Sequence, residues 1–261
     1  MNDLIDWQQT LLILTLSLPR MMAAFMLLPV FSRQSLPGMA HIGVMVSLAL
    51  LALPIVMADA PPTPPTWAQG FAIVIKEMTI GLLIGFGAAI PFWVIDSTGF
   101  FIDNQRGTTM ASSIDPMTGS QTSPLGVLLT QALVALFFVG GGALMFLDAL
   151  YESYRLWPVF SFFPRLGSDA LPALLGMLDR FMGLTVLLAA PIIIAMFMTE
   201  FAMGLISRAT PQMNVFSLAM PIKSAVGILI LAVYAILLFG FLNQEMLGIA
   251  AHFKILGRLF Q

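Results

Sequence analysis

The sequence predicts an all-α membrane protein, a bundle of about six to eight hydrophobic helices of which several are kinked or broken. Hydrophobic residues make up 59% of the 261 residues and charged residues only 9%, and the mean hydropathy is +0.96. Soluble domains contain about 25% charged residues, so this composition is typical of a membrane protein. The spacing of the apolar stretches and the residues that interrupt them provide the other two observations.

Six apolar stretches reach or approach the length of about 20 residues that a membrane-spanning helix needs. They are residues 11–31, 39–58, 70–95, 125–147, 183–206 and 215–250, and the last is long enough for a helix with a broken start. We expect one membrane domain over residues 1–261, because neither an internal repeat nor a coiled-coil heptad is evident. Its main interruption is a polar loop at residues 96–124.

Most of the apolar stretches contain a proline or a charged residue away from their ends. An interior proline removes a helix hydrogen bond, and a charge in apolar surroundings needs a protein or water partner. We therefore expect bent or broken helices that pack against other helices rather than against lipid. The interrupting residues are Pro19, Arg20, Pro29, Pro54, Lys76, Glu77, Pro91, Pro191, Glu200, Pro221 and Lys223.

Charge and residue usage exclude several functions. A formal net charge of −2 provides no basic surface for phosphates, so we predict no nucleic-acid partner. The chain has no cysteine, which excludes disulfides and thiol catalysis. Its start, MNDLIDW, is acidic, so we expect the first apolar stretch to be retained rather than removed as a signal peptide. Positive charges are divided almost evenly between alternate loops and do not fix the orientation.

Residues suited to catalysis or metal binding are scattered. The two histidines, His41 and His252, lie in different regions, and neither is next to a nucleophile motif. Asp96, Asp103 and Asp115 supply carboxylates in the polar loop, without any HExxH or clustered His/Cys spacing. We therefore predict a protein without enzymatic activity, bound metal or cofactor.

The third apolar stretch contains KEMTIGLLIGFG, in which charged and small residues are close together. Lys76 and Glu77 point about 100° apart on a helix, so we expect each to have its own partner. Three roles stay open for them: an anchor at the membrane edge, a buried pair between subunits through Glu77, or a proton relay. Gly81 and Gly85 form a small-xxx-small face that allows another helix to approach closely. The glycines at residues 140–142 lie inside an apolar stretch, where we expect helix packing or a kink.

The polar loop, DSTGFFIDNQRGTTMASSIDPMTGSQTSP, is rich in small uncharged residues. Asp103 and Arg106 can form an ion pair if the start of the loop is helical, and residues 115–119 have the composition of a turn. Irregular loops longer than about 12–15 residues in compact folds are often functional. This segment is therefore either an ordinary solvated loop or the lining or plug of a conduit.

Four motifs follow one another along almost the whole chain: LSLPRMMAAFMLLPVFS, the KEMTIGLLIGFG segment, the polar loop with its Asp–x–Gln–Arg–Gly and Asp–Pro–x–x–Gly–x–Gln sets, and RATPQMNVFSLAMPIK. In these motifs and their order, the sequence resembles the T-subunit family of the type III secretion export apparatus (SctT/YscT type), which is homologous to the flagellar protein FliR. The residues that carry the resemblance are Arg20, Pro29, Glu77, Gly81, Gly85, Phe86, Gly99, Asp103, Gln105, Arg106, Gly107, Asp115, Pro116, Gly119, Gln121, Arg208, Pro211, Gln212, Asn214, Phe216, Pro221 and Lys223.

The resemblance implies a hetero-oligomeric setting. In that family one T subunit joins several R and several S subunits in a helical assembly that admits unfolded secreted proteins, with the U subunit on the cytoplasmic side. The T subunit resembles an R and an S subunit fused, and its helices are steeply bent. The resemblance therefore implies R, S and U subunits, secreted proteins and membrane lipid as partners. It implies the bacterial inner membrane as the location, with part of the assembly on the periplasmic side.

The resemblance also implies roles for individual residues. The predicted plug loop of the closed pore comprises Gly107, Thr108, Thr109, Met110, Ala111, Ser112, Ser113, Ile114, Asp115, Pro116, Met117, Thr118, Gly119, Ser120 and Gln121. Inter-subunit or structural contacts are predicted for Arg20, Pro29, Glu77, Gly81, Gly85, Arg106, Arg208, Pro211, Gln212, Asn214 and Lys223.

We therefore predict a non-enzymatic component of the type III secretion export gate, which forms the pore for unfolded secreted proteins with the R and S subunits. An independent solute transporter with broken helices around a central site is an alternative. A membrane enzyme that uses Asp96, Asp103 or Asp115 is a third possibility.

Overall fold

A computed structural model of the chain describes residues 2–31, 38–108, 123–161, 170–210 and 215–259. Seven α-helices account for most of these residues, and the described ranges contain no β-strand, so the all-α prediction is confirmed. A 3₁₀ turn, Pro29–Phe31, follows the first helix. The helices are α1 (Asn2–Met26), α2 (Gly38–Ala58), α3 (Trp67–Arg106), α4 (Pro124–Val139), α5 (Gly142–Leu156), α6 (Ala170–Ala209) and α7 (Val215–Leu259).

Among the described residues, five helices are long and apolar enough to cross a membrane, namely α1, α2, α3, α6 and α7. The pair α4 and α5 makes a sixth if it is counted as one span bent by 70°. These six candidates correspond to the six apolar stretches of the sequence. The multiple apolar spans indicate an integral membrane protein.

The break in the fourth span lies at glycines, not at a proline. For the glycines at residues 140–142 the sequence predicts helix packing or a kink, and the structure has a kink there, because α4 ends at Val139 and α5 begins at Gly142. Gly141 between them has a φ of 80°, a left-handed conformation that glycine adopts without a Cβ clash. In contrast, α1, α2, α3, α6 and α7 each continue past an interior proline.

The polar loop is shorter than the sequence predicts. Residues 96–106 belong to α3, and α4 begins at Pro124. The buried residues Ile95, Thr98 and Ile102 continue the helical spacing of α3 into this polar segment. Of the predicted plug residues, Gly107 and Thr108 are described, and Thr109 to Gln121 lie outside the described residues.

The chain divides into two compact units, and each is described here by itself. Unit 1 comprises Met1–Ile90, Phe138–Leu175 and Met246–Gln261, and unit 2 comprises Pro91–Phe137 and Gly176–Glu245. In unit 1, α1 packs on α2, α2 packs on α5, and the Phe25 ring meets the Phe146 ring edge to face at 5.1 Å. In unit 2, a core of buried residues joins α3, α6 and α7 through Ile102, Ile192, Met196 and Leu231. The single domain over residues 1–261 stays a prediction.

Helix burial differs strongly along the chain. In the most apolar window of α3, 56% of the residues are buried, compared with 28% in α6 and 17% in α7. Within this chain, α3 therefore packs mainly on other helices, as expected. The α7 helix does not, because most of its apolar window is not buried in this chain. Large apolar side chains of α7, such as Val233 and Ile236, are 75% and 82% exposed and need lipid or another chain to cover them.

Candidate functional site

Two buried polar clusters hold some of the residues that the motifs predict, among them Arg20, Glu77, Asp103 and Arg106. We call the one in unit 1 the buried hub, and it consists of Arg20, Lys76, Glu77, Ser153 and Tyr154. We call the one in unit 2 the loop-base cluster, and it consists of Asp103, Arg106, Ser123 and Ser224. A buried charge without a partner is energetically costly in apolar surroundings. The partners of each charged group therefore show which parts of the chain each cluster holds together.

The centre of the buried hub is a two-pronged ion pair between α1 and α3. Arg20 Nε donates to Glu77 Oε2 at 2.8 Å, Arg20 Nη2 donates to Glu77 Oε1 at 2.9 Å, and both side chains are 0% exposed. The guanidinium also donates to Ser153 Oγ and to the Trp157 carbonyl, and it lies 4.2 Å from the centre of the Tyr154 ring. Arginine suits such a site because its planar donors match a carboxylate while its face stacks on a ring.

Lys76 extends this hub to the segment that follows α5. Its Nζ donates to the carbonyl oxygens of Pro158 at 2.9 Å, Val159 at 2.6 Å and Ser161 at 2.9 Å. The same nitrogen lies 3.0 Å from Glu77 Oε1. As expected, each residue has a partner of its own, Arg20 for Glu77 and the carbonyls after α5 for Lys76. The contact between the two neighbours is an addition that the flexible four-carbon lysine side chain allows.

We expect replacement of Lys76 by methionine to loosen the segment that Lys76 holds. The three carbonyls lose their common donor, which costs roughly 1–3 kcal/mol of local stability. Hydrogen–deuterium exchange over residues 157–161 is expected to speed up. Thr79→Val, an exposed change one turn away on α3, is the control that leaves this exchange unchanged. Equal exchange in Lys76→Met and in the native chain contradicts the prediction.

The glycine face of α3 lies directly against α1. A Cβ on Gly81 would collide with the Arg20 carbonyl and with Ala23, and a Cβ on Gly85 would collide with the Ala24 backbone. The close helix approach predicted for this face is present, and the approaching helix is α1 of the same chain. The predicted roles of Arg20 and Glu77 were inter-subunit or structural, and their burial inside unit 1 favours the structural role.

The loop-base cluster joins the end of α3 to the start of α4. Asp103 Oδ1 accepts a hydrogen bond from Arg106 Nη1 at 2.9 Å. Asp103 Oδ2 accepts two more, from Ser123 Oγ at 2.7 Å and from the Leu125 backbone N–H at 2.9 Å. Arg106 Nε donates to Ser224 Oγ on α7 at 3.0 Å. One buried carboxylate therefore connects residues on both sides of the predicted plug loop.

The start of α4 has a partner for every backbone donor of its first turn. Ser123 is the N-cap, since its Oγ accepts from the Gly126 N–H at 2.9 Å and its carbonyl accepts from the Val127 N–H at 3.0 Å. Pro124 has no N–H to satisfy, and the Leu125 N–H goes to Asp103. The Asp103 carboxylate also has the charge that a helix N-terminus favours. Asp103 thus completes a helix cap from a neighbouring helix.

Glycines bring the two helix backbones into contact beside this cluster. A Cβ on Gly99 would collide with the Gly126 backbone, and a Cβ on Gly126 would approach the backbone oxygen and Oδ1 of Asp96. Asp96 itself is exposed. Gly107, the first residue after α3, has a φ of 82°, and a Cβ there would meet the sulfur of Met220. Larger residues at Gly99 or Gly107 would displace the loop ends.

The other predicted residues lie apart from both clusters. Lys223 is almost buried and pairs with the half-exposed Glu200 at 3.1 Å, Arg208 is exposed near the end of α6, and Pro29 begins the 3₁₀ turn. Within the part of the chain that the structure describes, no group of His, Cys, Asp or Glu side chains is arranged to hold a metal ion. Three predicted residues lie outside the described ranges, namely Pro211, Gln212 and Asn214.

Several residues of the two clusters were not predicted. The Ser123–Pro124 pair carries a recognisable signal, because serine at the N-cap followed by proline is typical of a helix start. No local pattern marks Ser153, Tyr154 or Ser224, since each is recruited by a charge on a distant helix.

Comparison with known proteins places the chain in a family. Residues 11–249 match the model of bacterial export proteins, family 1. The chain is 46% identical over 244 residues to Yop proteins translocation protein T of Yersinia pestis, which covers 92% of each protein. It is 31% identical to surface presentation of antigens protein SpaR of Salmonella typhimurium, over 84% of this chain and 81% of SpaR. It is 29% identical to flagellar biosynthetic protein FliR of Bacillus subtilis, over 92% of this chain and 91% of FliR.

The family match spans both clusters and both units, and these relatives are the secretion and flagellar proteins that the four motifs resemble. The chain therefore belongs to the bacterial export proteins of family 1, the family of the type III secretion T subunits and of FliR.

Proposed function

We propose that this chain is the T subunit of a type III secretion export gate, which forms with R and S subunits the pore that unfolded secreted proteins cross. Membership of the export family makes it a component of a secretion apparatus, a class of protein that is not enzymatic. The observation that carries the pore role is the loop-base cluster. It joins the residues at both ends of a long polar loop to each other and to the ends of apolar helices. A plug needs such fixed end points if it is to stay in the pore.

The surface of the helices supports a hetero-oligomeric setting in a membrane. Only 17% of the most apolar window of α7 is buried within the chain, so most of this helix needs lipid or a partner to cover it. We place R and S subunits against part of this surface and the U subunit on the cytoplasmic side. The bacterial inner membrane is the proposed location, with part of the assembly reaching the periplasmic side.

The loop residues Gly107 to Gln121 form the proposed plug. Their side chains are mostly small and uncharged, so they neither bind a passing chain strongly nor repel it. An unfolded protein carries no fixed shape or sequence for a site to recognise, so this lack of specific chemistry suits a gate.

We expect deletion of residues 110–119 to leave assembly with the R and S subunits intact and to make the closed pore leak. The deletion spares both ends of the loop, because the loop-base cluster does not include these residues. The measurement is ion conductance of the co-purified complex in planar bilayers. The control replaces residues 62–65, a proline-rich part of the connection between α2 and α3, with a Gly/Ser sequence, which is expected to leave the conductance unchanged.

Three outcomes contradict parts of this proposal. Unchanged conductance in an assembled deletion variant rules out the plug. Failure of the native chain to co-purify with R and S subunits rules out the gate. Solute uptake by the purified chain alone, in the absence of other subunits, supports the transporter alternative instead.

A further inference from the structure

Two ion pairs connect helices α6 and α7 of unit 2. Arg180 of α6 pairs with Glu245 of α7 at 2.8 Å, and Glu200 of α6 pairs with Lys223 of α7 at 3.1 Å. The two pairs are 20 residues apart on α6 and 22 residues apart on α7, which corresponds to about 30 Å and about 33 Å along the two helices. The hydrocarbon core of a bilayer is about 30 Å thick, so the spacing of the ion pairs matches the spacing of its two surfaces.

The two helices remain packed on each other between the ion pairs. Ile192 and Met196 of α6 share a buried core with Leu231 of α7, and a Cβ on Gly227 would collide with the Met196 side chain. Steps forward along α6 therefore correspond to steps back along α7, and the interior Pro191 does not separate the helices. We call residues 180–200 and 223–245 together the antiparallel pair.

The surface of the antiparallel pair between its charged ends is apolar. Residues 181–199 and 224–244 contain no Asp, Glu, Lys, Arg or His. Large apolar side chains are exposed on both helices along this distance. They include Leu187 and Ile194 on α6 and Leu229, Val233, Ile236 and Leu237 on α7. The antiparallel pair therefore needs an apolar environment that extends from one ion pair to the other.

Each ion pair leaves one of its charged groups partly open to the surroundings. The side chain of Arg180 is 46% exposed and that of Glu200 is 53% exposed. A half-exposed charge is costly within the hydrocarbon, whereas water and lipid headgroups solvate it at the membrane surface. Exposed ion pairs contribute little to the stability of a fold, so cohesion of the two helices does not account for these charges.

We propose that the antiparallel pair crosses the lipid bilayer with the Arg180–Glu245 ion pair at one headgroup layer and the Glu200–Lys223 ion pair at the other, and that lipid acyl chains cover the exposed side chains between them. This inference rests on the proposed membrane location and is independent of the pore role. The end of α6 beyond Glu200, which continues to Ala209, then projects from the hydrocarbon.

The first test measures depth in the bilayer with a nitroxide label on single cysteines. The native chain has no cysteine, so each variant of the full chain carries one label. In vesicles of phosphatidylethanolamine and phosphatidylglycerol, collisions of the label with oxygen, which concentrates in hydrocarbon, are compared with collisions with a water-soluble nickel complex. We expect the ratio of oxygen to nickel collisions to be highest at Leu187→Cys and Ile194→Cys, and several-fold lower at Met182→Cys and Phe201→Cys.

These four positions are matched in exposure, because their side chains are 61%, 59%, 56% and 60% exposed in that order. Differences between them therefore report depth in the bilayer. A ratio that is highest at Phe201 places hydrocarbon around the Glu200–Lys223 ion pair and overturns the inference. Few collisions with either reagent at Leu187 and Ile194 show that protein covers the surface instead of lipid, which also overturns it. Broadening of the label spectrum then identifies a second copy of this chain as the cover.

The second test places a charge on the same helix surface and needs no label. Leu187→Arg and Phe201→Arg add the same charge at two similarly exposed positions of α6. We expect Leu187→Arg to lower the carbonate-resistant, membrane-integrated fraction of the chain several-fold, because it places arginine near the middle of the bilayer. We expect Phe201→Arg to leave this fraction close to that of the native chain, because residue 201 lies at the headgroups. Equal fractions for the two variants overturn the inference.

Failure of this inference and failure of the proposed function are distinguishable. If the native chain does not enter vesicles, the membrane location and the inference are both wrong. If the chain enters vesicles but the collision ratio does not peak between the ion pairs, the membrane location stands and the inference alone is wrong. The pore role is tested separately by the loop deletion.

Discussion

Glu77→Ala is expected to lower the free energy of unfolding of the purified chain in detergent by about 3–5 kcal/mol. The change leaves the Arg20 guanidinium fully buried and without its charge partner. The remaining acceptors, Ser153 Oγ and the Trp157 carbonyl, are neutral and cannot replace a carboxylate. Lys76 loses the same partner, so the segment after α5 loosens as well. Thermal and denaturant unfolding of the purified variant measure the loss.

Two further variants distinguish the effect of the buried ion pair on stability from the effect of losing any ion pair. Glu152→Ala breaks an ion pair whose side chains are 63% and 47% exposed, and we expect it to cost at most about 1 kcal/mol. The double variant Arg20→Met, Glu77→Met removes both charges and is expected to be more stable than Glu77→Ala alone. If Glu77→Ala and Glu152→Ala cost the same, the hub does not stabilise unit 1 as described.

Gly85→Leu is expected to separate α1 from α3 and to cost at least about 3 kcal/mol, at or beyond the upper end of typical overpacking. The added Cβ falls on the Ala24 backbone, which cannot turn away as a flexible side chain would. Gly81→Val is expected to act in the same way through the Arg20 carbonyl, and it also disturbs the ion pair on the same residue. Unfolding of the purified variants and their co-purification with R and S subunits measure the effect.

Gly70→Ala is the matched control for the glycine face, because it lies on the same helix with nothing within 4 Å of an added Cβ. Alanine has a higher helix propensity than glycine, so we expect unchanged or slightly raised stability. A stable Gly85→Leu chain would show that the two helices can move apart at little cost, contrary to the packing seen in unit 1.

Local features of the sequence predicted the features of the structure that depend on local spacing. The apolar stretches predicted six candidate spans, because a span is a property of about 20 consecutive residues. The glycines of α3 predicted a close helix approach, and the i,i+3 spacing of Asp103 and Arg106 predicted their ion pair. The helical spacing of Ile95, Thr98 and Ile102 also indicates that α3 continues into the polar segment. The polar composition of that segment led instead to the prediction of a loop.

The sequence by itself therefore determined the class of the protein, its number of spans and, through its motifs, its family. Only the tertiary structure decided which charges meet: Arg20 with Glu77 across 57 residues, and Lys76 with the carbonyls after α5. It also decided that the break lies at Gly141 and that Asp103 caps α4. Periodicity reports which residues share a face of one helix, whereas long-range partners depend on which helices become neighbours, and no local pattern contains that information.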